Sequence, residues 1–340
     1  MSLRVGVIGA GWVATHRHVP AYLRHPAVES VTICDKRPDR ALGAARQGVA
    51  AWPGDLKGFL AEQFDIVSVC TSPWSHAELT VSALEQGSNV LTEKPMAMNG
   101  ADARTMVHAA ETTGRLLCVC HNFLFSNAVV AADGLVERAG PLQYAVGMQM
   151  SSDRRRLPEW YRDLPGGLLF DELPHMLYTA EHYLGGLRLH EVRASWDTEG
   201  QPKTVEIQLE GEAPAQVTAL FTSPLSEWHV TLVGRTGVVD LDLFRDFAAF
   251  IGPDREHKAS DILRTSARTM AGHVSGFATS GFRLVRGRQS WGHEALVHRF
   301  VDAVAGLRPS PVPLGESMAV VDLTDRILGE LARAPGRTRA

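Results

Sequence analysis

The sequence predicts an α/β fold with two domains: a doubly wound parallel sheet over residues 1–121, and an α+β domain with a mostly antiparallel, open-faced sheet over residues 122–340. In the first part, short apolar runs alternate with helical stretches, which is the pattern of βαβ units. In the second part, apolar and polar residues alternate with a period of two, which indicates antiparallel strands with one buried face. The 340 residues are enough for two hydrophobic cores.

Composition argues against several classes of protein. Apolar residues make up 45% and charged residues 21% of the chain, the balance of a globular protein. The net charge of −4 predicts no nucleic-acid partner. No apolar run approaches the roughly 20 residues of a membrane span, and the N-terminus lacks a signal-peptide pattern, so we expect a cytoplasmic protein. The four cysteines lie in or beside apolar runs, which predicts buried thiols and no metal site.

The first strand, Leu3 to Ile8, ends in the pattern Gly9-x-Gly11-x-x-Ala14. Gly9 allows the tight turn, Gly11 allows the backbone to approach a pyrophosphate, and Ala14 allows close packing of helix on strand. Asp35 ends the second strand, 24 residues after Gly11, where a carboxylate accepts hydrogen bonds from a ribose. This pattern predicts a dinucleotide-binding Rossmann domain. Its candidate cofactor-binding residues are Gly9, Gly11, Trp12, Val13, Asp35, Lys36 and Arg37.

The choice of nucleotide follows from the charges beside Asp35. The carboxylate would repel a 2′-phosphate, which favours NAD. Lys36 and Arg37 follow directly, and either could hold such a phosphate, so NADP remains an alternative. Both basic residues are equally consistent with a solvated turn.

The strand Asn89 to Thr92 runs into Glu93-Lys94-Pro95. Pro95 fixes its own φ and disfavours a helical conformation for Lys94, so the lysine is held at the carboxyl end of a strand. Ligands of open α/β sheets bind at that edge, which nominates Lys94 for chemistry, although a solvated lysine before a turn is the simpler interpretation. Glu93 and Lys94 are also candidates for cofactor contact. The preceding strand ends in a further candidate segment for such contact, with Thr71, Ser72, Pro73 and His76.

Asp171 and His175 are four residues apart, so on a helix they share one face. Pro174 is tolerated only near the first turn, which predicts that the helix begins close to Asp171. Glu172 falls on another face, and we expect it to be solvated. Tyr161 and Arg162 are candidate substrate ligands, while Arg154-Arg155-Arg156 suggests a solvated loop or, alternatively, a site for an anionic substrate.

Together these motifs resemble the glucose–fructose oxidoreductase/inositol dehydrogenase (Gfo/Idh/MocA) family. The resemblance includes Gly166-Gly167 before Asp171 and His175, and covers residues 3 to 184 by motif. It implies that Lys94, Asp171 and His175 act at a nicotinamide. The chain departs from the family pattern at Leu173, Pro174 and Tyr178, which bears on the substrate more than on hydride transfer. Asn122 is a further candidate for both cofactor and substrate contact.

The resulting hypothesis is reversible hydride transfer between NAD(H) and a secondary alcohol carbon of a sugar, inositol or nucleotide-sugar-like substrate. His175 is the expected general base and Lys94 the donor to the reacting oxygen. Asp171 is expected to fix the substrate hydroxyl and to orient His175, and both residues are candidate substrate ligands. Two alternatives remain. One is an enzyme that retains NAD and oxidises its substrate only transiently, for elimination, hydrolysis or epimerisation. The other is a non-catalytic nucleotide sensor.

Two further expectations concern assembly. The exposed face of the antiparallel sheet is a common site of self-association, so we expect a homo-oligomer, either dimer or tetramer. Residues 254–292 are rich in arginine, serine and glycine and predict a helix followed by a loop. This stretch is expected either to cover the substrate pocket or to form a basic amphipathic contact with a membrane surface.

Overall fold

The computed structural model describes residues 2–45, 48–152, 154–155, 157, 159–254 (the backbone alone at 159), 256, 258–287, 289 and 291–333. The chain forms two compact units. The N-terminal unit comprises residues up to 122 together with 292–322, and the C-terminal unit comprises 123–291 and the residues from 323 onward. The sequence pattern predicts a single domain over 122–340, whereas in the structure residues 292–322 group with the N-terminal unit.

The N-terminal unit contains one parallel sheet, which confirms the predicted doubly wound α/β architecture. Its strand order is β3-β2-β1-β4-β5-β6, and the order in which strands are added reverses between β1 and β4. The strands are β1 Leu3–Ile8, β2 Val28–Cys34, β3 Ala50–Ala51, β4 Ile66–Val69, β5 Asn89–Thr92 and β6 Leu117–Val119.

The C-terminal unit contains a mostly antiparallel sheet, as predicted. Its order is β13-β12-β11-β7-β10-β9-β8, and only the central pair β7–β10 is parallel. The strands are β7 Leu142–Ser152, β8 Arg188–Trp196, β9 Pro202–Glu210, β10 Ala215–Ser223, β11 Glu227–Gly234, β12 Val238–Asp242 and β13 Phe247–Ile251. Val205, Ile207 and Leu209 of β9 are buried, so the predicted alternation identifies the covered face.

The helices begin and end close to the positions that capping residues indicate. Asn99 caps α5 by accepting a hydrogen bond from the Asp102 N–H, and Gly114 ends it with φ of 66°. The helices are α1 Val19–Arg24, α2 Pro38–Ala45, α3 Leu56–Ala61, α4 His76–Glu85, α5 Gly100–Thr113, α6 Asn127–Ala139, α7 Leu168–Leu184, α8 Ala259–Val285, α9 His293–Val304 and α10 Leu314–Arg333. Among the described residues, no helix has the length and apolar character needed to cross a bilayer.

Helix α9 belongs to the N-terminal unit through contacts with α1. Glu294 accepts two hydrogen bonds from the Arg24 guanidinium, at 2.8 and 2.9 Å. His298 Nε2 lies 3.0 Å from the carbonyl oxygen of Ala21. The apolar side of α9, with Leu296 and Phe300, is fully buried. Helix α9, although late in the chain, therefore contributes to the core of the N-terminal unit.

Candidate active site

The glycine corner is built by close approach of two strand ends. Gly9 has φ of +96°, and a Cβ there would lie 2.7 Å from the carbonyl oxygen of Cys70, at the end of β4. A side chain at Gly9 would therefore be strained both by conformation and by contact. At Gly11 the nearest atom to such a Cβ is 4.0 Å away, so the backbone there is open to a ligand.

Asp35 ties the glycine corner to the end of β2. Its carboxylate accepts a hydrogen bond of 2.7 Å from the Ala10 N–H and one of 2.8 Å from the Arg37 N–H. The carboxylate is half-buried, while Lys36 and Arg37 are exposed. The fixed turn, the open Gly11 backbone and the acid at the end of β2 together fit a dinucleotide with an unmodified ribose.

The helix that follows the glycine corner begins with a π-helical turn, Ala14–His18, in which the Val19 N–H donates to the Ala14 carbonyl oxygen. Pro20 provides the physical reason, since it lacks an N–H and its ring would clash with the carbonyl four residues earlier in a regular helix. The wide turn directs His18 into the core, where its side chain is fully buried. Trp12, at the start of the segment, is exposed and stacks on His16.

His18 connects this turn to the Glu93-Lys94-Pro95 corner. Its Nε2 lies 2.7 Å from Glu93 Oε1, and its Nδ1 lies 2.8 Å from the Ser68 hydroxyl. The other carboxylate oxygen, Glu93 Oε2, accepts the Lys94 backbone N–H at 3.1 Å. A buried carboxylate therefore fixes the backbone that carries Lys94, and a buried histidine fixes the carboxylate. His18 was missed in the sequence because its partner is 75 residues away.

The charges of this pair are coupled. Burial alone would raise the pKa of Glu93, but the hydrogen bond and charge of His18, with smaller contributions from His293 and Lys94, lower it far below its usual range. Burial alone would also lower the pKa of His18, but Cys70, Cys120 and the Glu93 carboxylate raise it well above 6.5. The pair is consequently an imidazolium–carboxylate ion pair near neutral pH.

The donor set of His18, Glu93 and Cys120 lies within 4.8 Å, which raises the question of a metal ion. The His18 Nε2 and Glu93 Oε1 atoms are 2.7 Å apart, whereas two ligands at about 2.1 Å from a tetrahedral metal would be about 3.4 Å apart. A shared proton fits the shorter distance. Burial also raises the pKa of the Cys120 thiol. The cluster is therefore a hydrogen-bond network.

The segment after β4 is held against Pro95 by His76. Its Nδ1 lies 2.8 Å from the Pro95 carbonyl oxygen and its Nε2 lies 3.1 Å from the Thr71 carbonyl oxygen. Burial lowers the pKa of His76, so a neutral imidazole donates to one carbonyl at a time. His76 is fully buried and holds the two segments together, and its contact with the cofactor stays a prediction. Ser72 and Pro73 open a 3-10 turn beside it.

Lys94 is half-buried at the end of β5, and the peptide bond between it and Pro95 is cis. Asn122 is buried and closes the first segment of the N-terminal unit. The parallel sheet thus brings Gly9, Thr71 and Lys94 to the same edge, because each follows the carboxyl end of a neighbouring strand, β1, β4 and β5 respectively.

In the C-terminal unit, α7 presents Asp171 and His175 on one face. Residues 168–180 are all described, and within them these two side chains alone are partly exposed. The predicted face is therefore accessible on an otherwise buried helix segment. The start of the helix was predicted wrongly, since α7 begins at Leu168 and Pro174 lies inside it. Tyr161 is half-buried and Arg162 exposed, in a 3-10 turn (Glu159–Asp163) that precedes α7.

The hydrogen bond of His175 that the structure describes is to Tyr178. The distance from His175 Nδ1 to the Tyr178 hydroxyl is 2.6 Å, and that hydroxyl accepts the Phe123 N–H at 3.2 Å. The Phe123 ring stacks on the imidazole, with centroids 4.6 Å apart. Tyr178 therefore helps to orient the imidazole, and the i, i+3 spacing was the available signal. That Asp171 also orients it stays a prediction.

Glu172 was expected to be solvated, but its side chain is only 2% exposed. The carboxylate accepts hydrogen bonds from the Ser151 hydroxyl at 2.7 Å and from Gln149, both on β7, and pairs with Arg155. Arg155 was expected to lie in a solvated loop or to hold an anionic substrate, and it pairs instead with a buried carboxylate of the same unit. Arg156 lies outside the described residues. The buried carboxylate fixes the rotation of α7, and with it the direction of the Asp171–His175 face.

Comparison with known proteins gives a consistent picture of the N-terminal unit. Residues 3–121 match the family model GFO_IDH_MocA, described as an oxidoreductase family with an NAD-binding Rossmann fold. The chain is 32% identical over 199 residues to D-glucoside 3-dehydrogenase of Escherichia coli, covering 56% of this chain and 57% of that protein. It is 30% identical over 193 residues to dTDP-3,4-didehydro-2,6-dideoxy-alpha-D-glucose 3-reductase of Streptomyces violaceoruber, covering 54% and 55%. The chain therefore spans about half the length of these curated relatives.

Solved structures extend the likeness in fold to nearly the whole chain. Levoglucosan dehydrogenase in complex with NADH superposes with a TM-score of 0.78 at 17% identity, covering 98% of both chains. GenD2 from gentamicin A biosynthesis, in complex with NAD, also gives 0.78 at 20% identity, covering 97% of this chain and 94% of that one. At these identities the likeness establishes a shared architecture, including the antiparallel sheet of the C-terminal unit.

Proposed function

Since residues 3–121 of this chain belong to the Gfo/Idh/MocA oxidoreductases as their NAD-binding Rossmann domain, we propose that the chain transfers a hydride between NAD and a CH–OH carbon of a sugar-like substrate. One observation carries the proposal beyond the family: α7 exposes an acid and a histidine side by side on an otherwise buried segment. The other side chains of this segment pack in the core, whereas this partly exposed pair is accessible to a ligand.

Lys94 is assigned the role of donor to the reacting oxygen. Its backbone is held by the Glu93 carboxylate and its side chain is half-buried, so the ammonium is presented from a fixed point. A preorganised donor stabilises the negative charge that develops on an alkoxide oxygen in the transition state. The bound nicotinamide supplies the acceptor or donor of the hydride.

His175 is assigned the role of general base. A base needs a free lone pair on Nε2, which requires that Nδ1 carries the proton and donates it to the Tyr178 oxygen 2.6 Å away. Tyr178 would thus set the tautomer of the base, as a third residue does in many enzymes that pair a nucleophile with a base. Phe123, stacked on the imidazole, restricts rotation of the ring. Asp171 is assigned to a substrate hydroxyl.

The names of two relatives support a finer proposal for the substrate. Both the D-glucoside 3-dehydrogenase and the dTDP-sugar 3-reductase are named for a redox change at position 3 of a glucose-derived sugar. We assign this chain a pyranose substrate, in which a secondary hydroxyl of this kind is oxidised to a ketone or formed from one. Arg162 and Tyr161 are assigned as further substrate ligands. NAD is favoured over NADP, because the Asp35 carboxylate is fixed beside the glycine corner and would repel a 2′-phosphate.

A double-mutant cycle tests the roles of Lys94 and His175. NADH formation is measured with a panel of glucosides and nucleotide sugars for Lys94→Ala, His175→Ala and the double variant. We expect each single variant to lose about 10²–10⁴-fold in kcat. Since both residues act on one step, the double variant should lose far less than the product of the single losses. NAD affinity should stay within a few-fold.

Matched controls are Lys57→Ala and His190→Ala, which change an exposed residue of the same type in each unit. Equal loss of NAD affinity and turnover in Lys94→Ala would make the lysine structural. Product formation with NAD retained and no net change in NADH absorbance would instead favour transient oxidation. An intact protein that binds NAD but is inert over the whole panel would support a nucleotide sensor.

A further inference from the structure

Helix α8 packs on the sheet of the C-terminal unit through its small and polar residues. Gly272 lies against Ala249, and Gly276 lies against the Phe247 ring, both on β13. At the next turns of the same face, the Ser280 hydroxyl donates to the Arg245 carbonyl oxygen, and Arg283 donates to the Asp246 carbonyl oxygen at 2.9 Å. The helix is therefore anchored without using its large apolar side chains.

The large apolar side chains lie away from this face and are exposed, and they include Ile262, Phe282 and Val285. Four of them recur every seven residues, with exposed fractions of 72, 65, 66 and 61%, at Leu263, Met270, Phe277 and Leu284. Four residues after each of the first three comes a smaller residue: Ala267, Val274 and Gly281. Alternate steps of four and three residues define a heptad seam over more than three heptads, the pattern that helices use to pack against other helices.

The sizes in the seam favour one arrangement of two such helices. In a parallel pair, equivalent positions face each other, so Gly281 would meet Gly281 and Phe277 would meet Phe277, which leaves a void beside a crowded layer. In an antiparallel pair, small positions face large ones: Ala267 meets Leu284, Val274 meets Phe277, and Gly281 meets Met270. Layers that combine one large and one small residue fill space evenly.

The area of the seam is suited to a stable dimer. Large apolar side chains expose on the order of 150 Å² each when fully accessible, so the four seam residues with Val274 and Val285 expose about 600 Å². A standard interface covers about 800 Å² of each partner, with its most apolar part at the centre. The seam supplies that centre, and the self-complementary sizes satisfy a two-fold axis.

We propose that α8 is a dimerisation helix, which pairs antiparallel with α8 of a second copy of this chain through the Leu263–Leu284 seam. This inference does not depend on the proposed hydride transfer. A basic amphipathic contact with a membrane is the rival interpretation of the stretch. Its positive charges are partly engaged within the helix, since Arg264 pairs with Asp261 and Arg286 lies over the Phe282 ring. The seven-residue repeat of Leu263, Met270, Phe277 and Leu284 is the spacing by which helices pack against other helices.

The first test measures the mass of the full-length protein by sedimentation over a range of concentrations. Phe277→Glu places a charge in the centre of the seam of both copies, so we expect it to weaken the α8 dimer at least about 100-fold. Ser275→Glu is the matched control, because it adds the same charge to an exposed position of the same helix outside the seam. Met270→Glu provides a second variant in case Phe277→Glu disturbs folding.

The second test establishes the direction of the helices. Under mild oxidation, the double variant Ala267→Cys/Leu284→Cys should form a covalent dimer, because each new cysteine faces its counterpart in the other copy. The two single variants should not cross-link efficiently, since equivalent positions are far apart in an antiparallel pair. The four native cysteines are buried and free, so they contribute little background.

Several outcomes would overturn the inference. A wild-type protein that is monomeric at tens of micromolar would do so, as would an assembly whose mass is unchanged by both Phe277→Glu and Met270→Glu. Cross-linking of the single cysteine variants alone would reject the antiparallel pair. Flotation of monomeric protein with phosphatidylserine vesicles, lost in Phe277→Glu, would assign the stretch to a membrane surface.

Discussion

Each unit buries a glutamate next to a residue proposed for chemistry, and the two carboxylates differ in what neutralises them. Glu93 precedes Lys94 and pairs with the buried imidazole of His18. Glu172 follows Asp171 and pairs with Arg155, whose guanidinium reaches solvent. In both cases the neighbouring reactive side chain stays accessible because the glutamate holds the backbone in one orientation. The difference is that the Glu93 pair loses its charge as pH rises through the raised pKa of His18, whereas arginine keeps its proton.

Among the residues of the two pairs, we expect substitution of His18 to reduce stability the most. We expect His18→Gln to lower the free energy of unfolding by about 3–5 kcal/mol at pH 5.5, because it leaves the Glu93 carboxylate buried without a countercharge. Urea unfolding followed by tryptophan fluorescence measures the change. His16→Gln, on the exposed side of the same turn, is the control and should stay within about 0.5 kcal/mol. An equally small effect at His18 would show that the pair contributes little.

The same pair predicts a pH window for stability. The folded-state pKa of Glu93 is depressed, so its contribution is present above the unfolded value of about 4.3 and is lost as pH falls toward the folded value. The folded-state pKa of His18 is raised, so its contribution is complete below about 6.5 and is lost as pH rises through the folded value. The difference in stability between wild type and His18→Gln should therefore be largest between about pH 4.3 and 6.5.

At Glu172 we expect a smaller effect. Glu172→Gln keeps the shape of the side chain and an acceptor for Ser151, but removes the charge that faces Arg155, so the free energy of unfolding should fall by about 1–3 kcal/mol. Urea unfolding at pH 7 and at pH 9 measures it. The difference from wild type should be the same at both values, because the partner is an arginine. A loss of the difference at pH 9 would show that a titrating group takes part.

The mildest change concerns the tautomer of His175. Tyr178→Phe removes the hydroxyl that faces Nδ1, and we expect kcat/KM to fall about tenfold, or about 1.4 kcal/mol. The pH profile of kcat/KM is the decisive measurement, since the limb that reports the base should shift in Tyr178→Phe. Tyr183→Phe, which removes a hydroxyl from the same helix, should leave that limb in place. An unchanged limb in both variants would make Tyr178 a packing residue.

Much of the N-terminal unit could be predicted from sequence because its functional positions are specified by backbone chemistry. Gly9 is required by a positive φ and by the close carbonyl of Cys70, and both requirements leave a trace in the local pattern. Strand ends in a parallel sheet meet at one edge by topology alone. The position of Lys94 at that edge therefore followed from its place after an apolar run.

The positions of Glu172 and Tyr178 could be predicted only in part. A helical pattern states which residues share a face, but the partners of Glu172 come from β7, about 20 residues earlier in the chain. The acid was expected to be solvated because it falls on a different helix face from Asp171 and His175. Residues 292–322 show the same limit. Nothing local in their sequence indicated that α9 would belong to the N-terminal unit.

The wide turn at Ala14–His18 has a consequence for how the chain tolerates insertions and deletions. A π turn contains one residue more than an α turn, so removing a residue there would close it to a regular α turn, in which the Pro20 ring would clash with the carbonyl four residues earlier. The strain would fall beside His18 and disturb its contact with Glu93, even though no side chain of the pair had been altered. The length of this turn, as much as the identity of its residues, therefore sets the position of the buried imidazole.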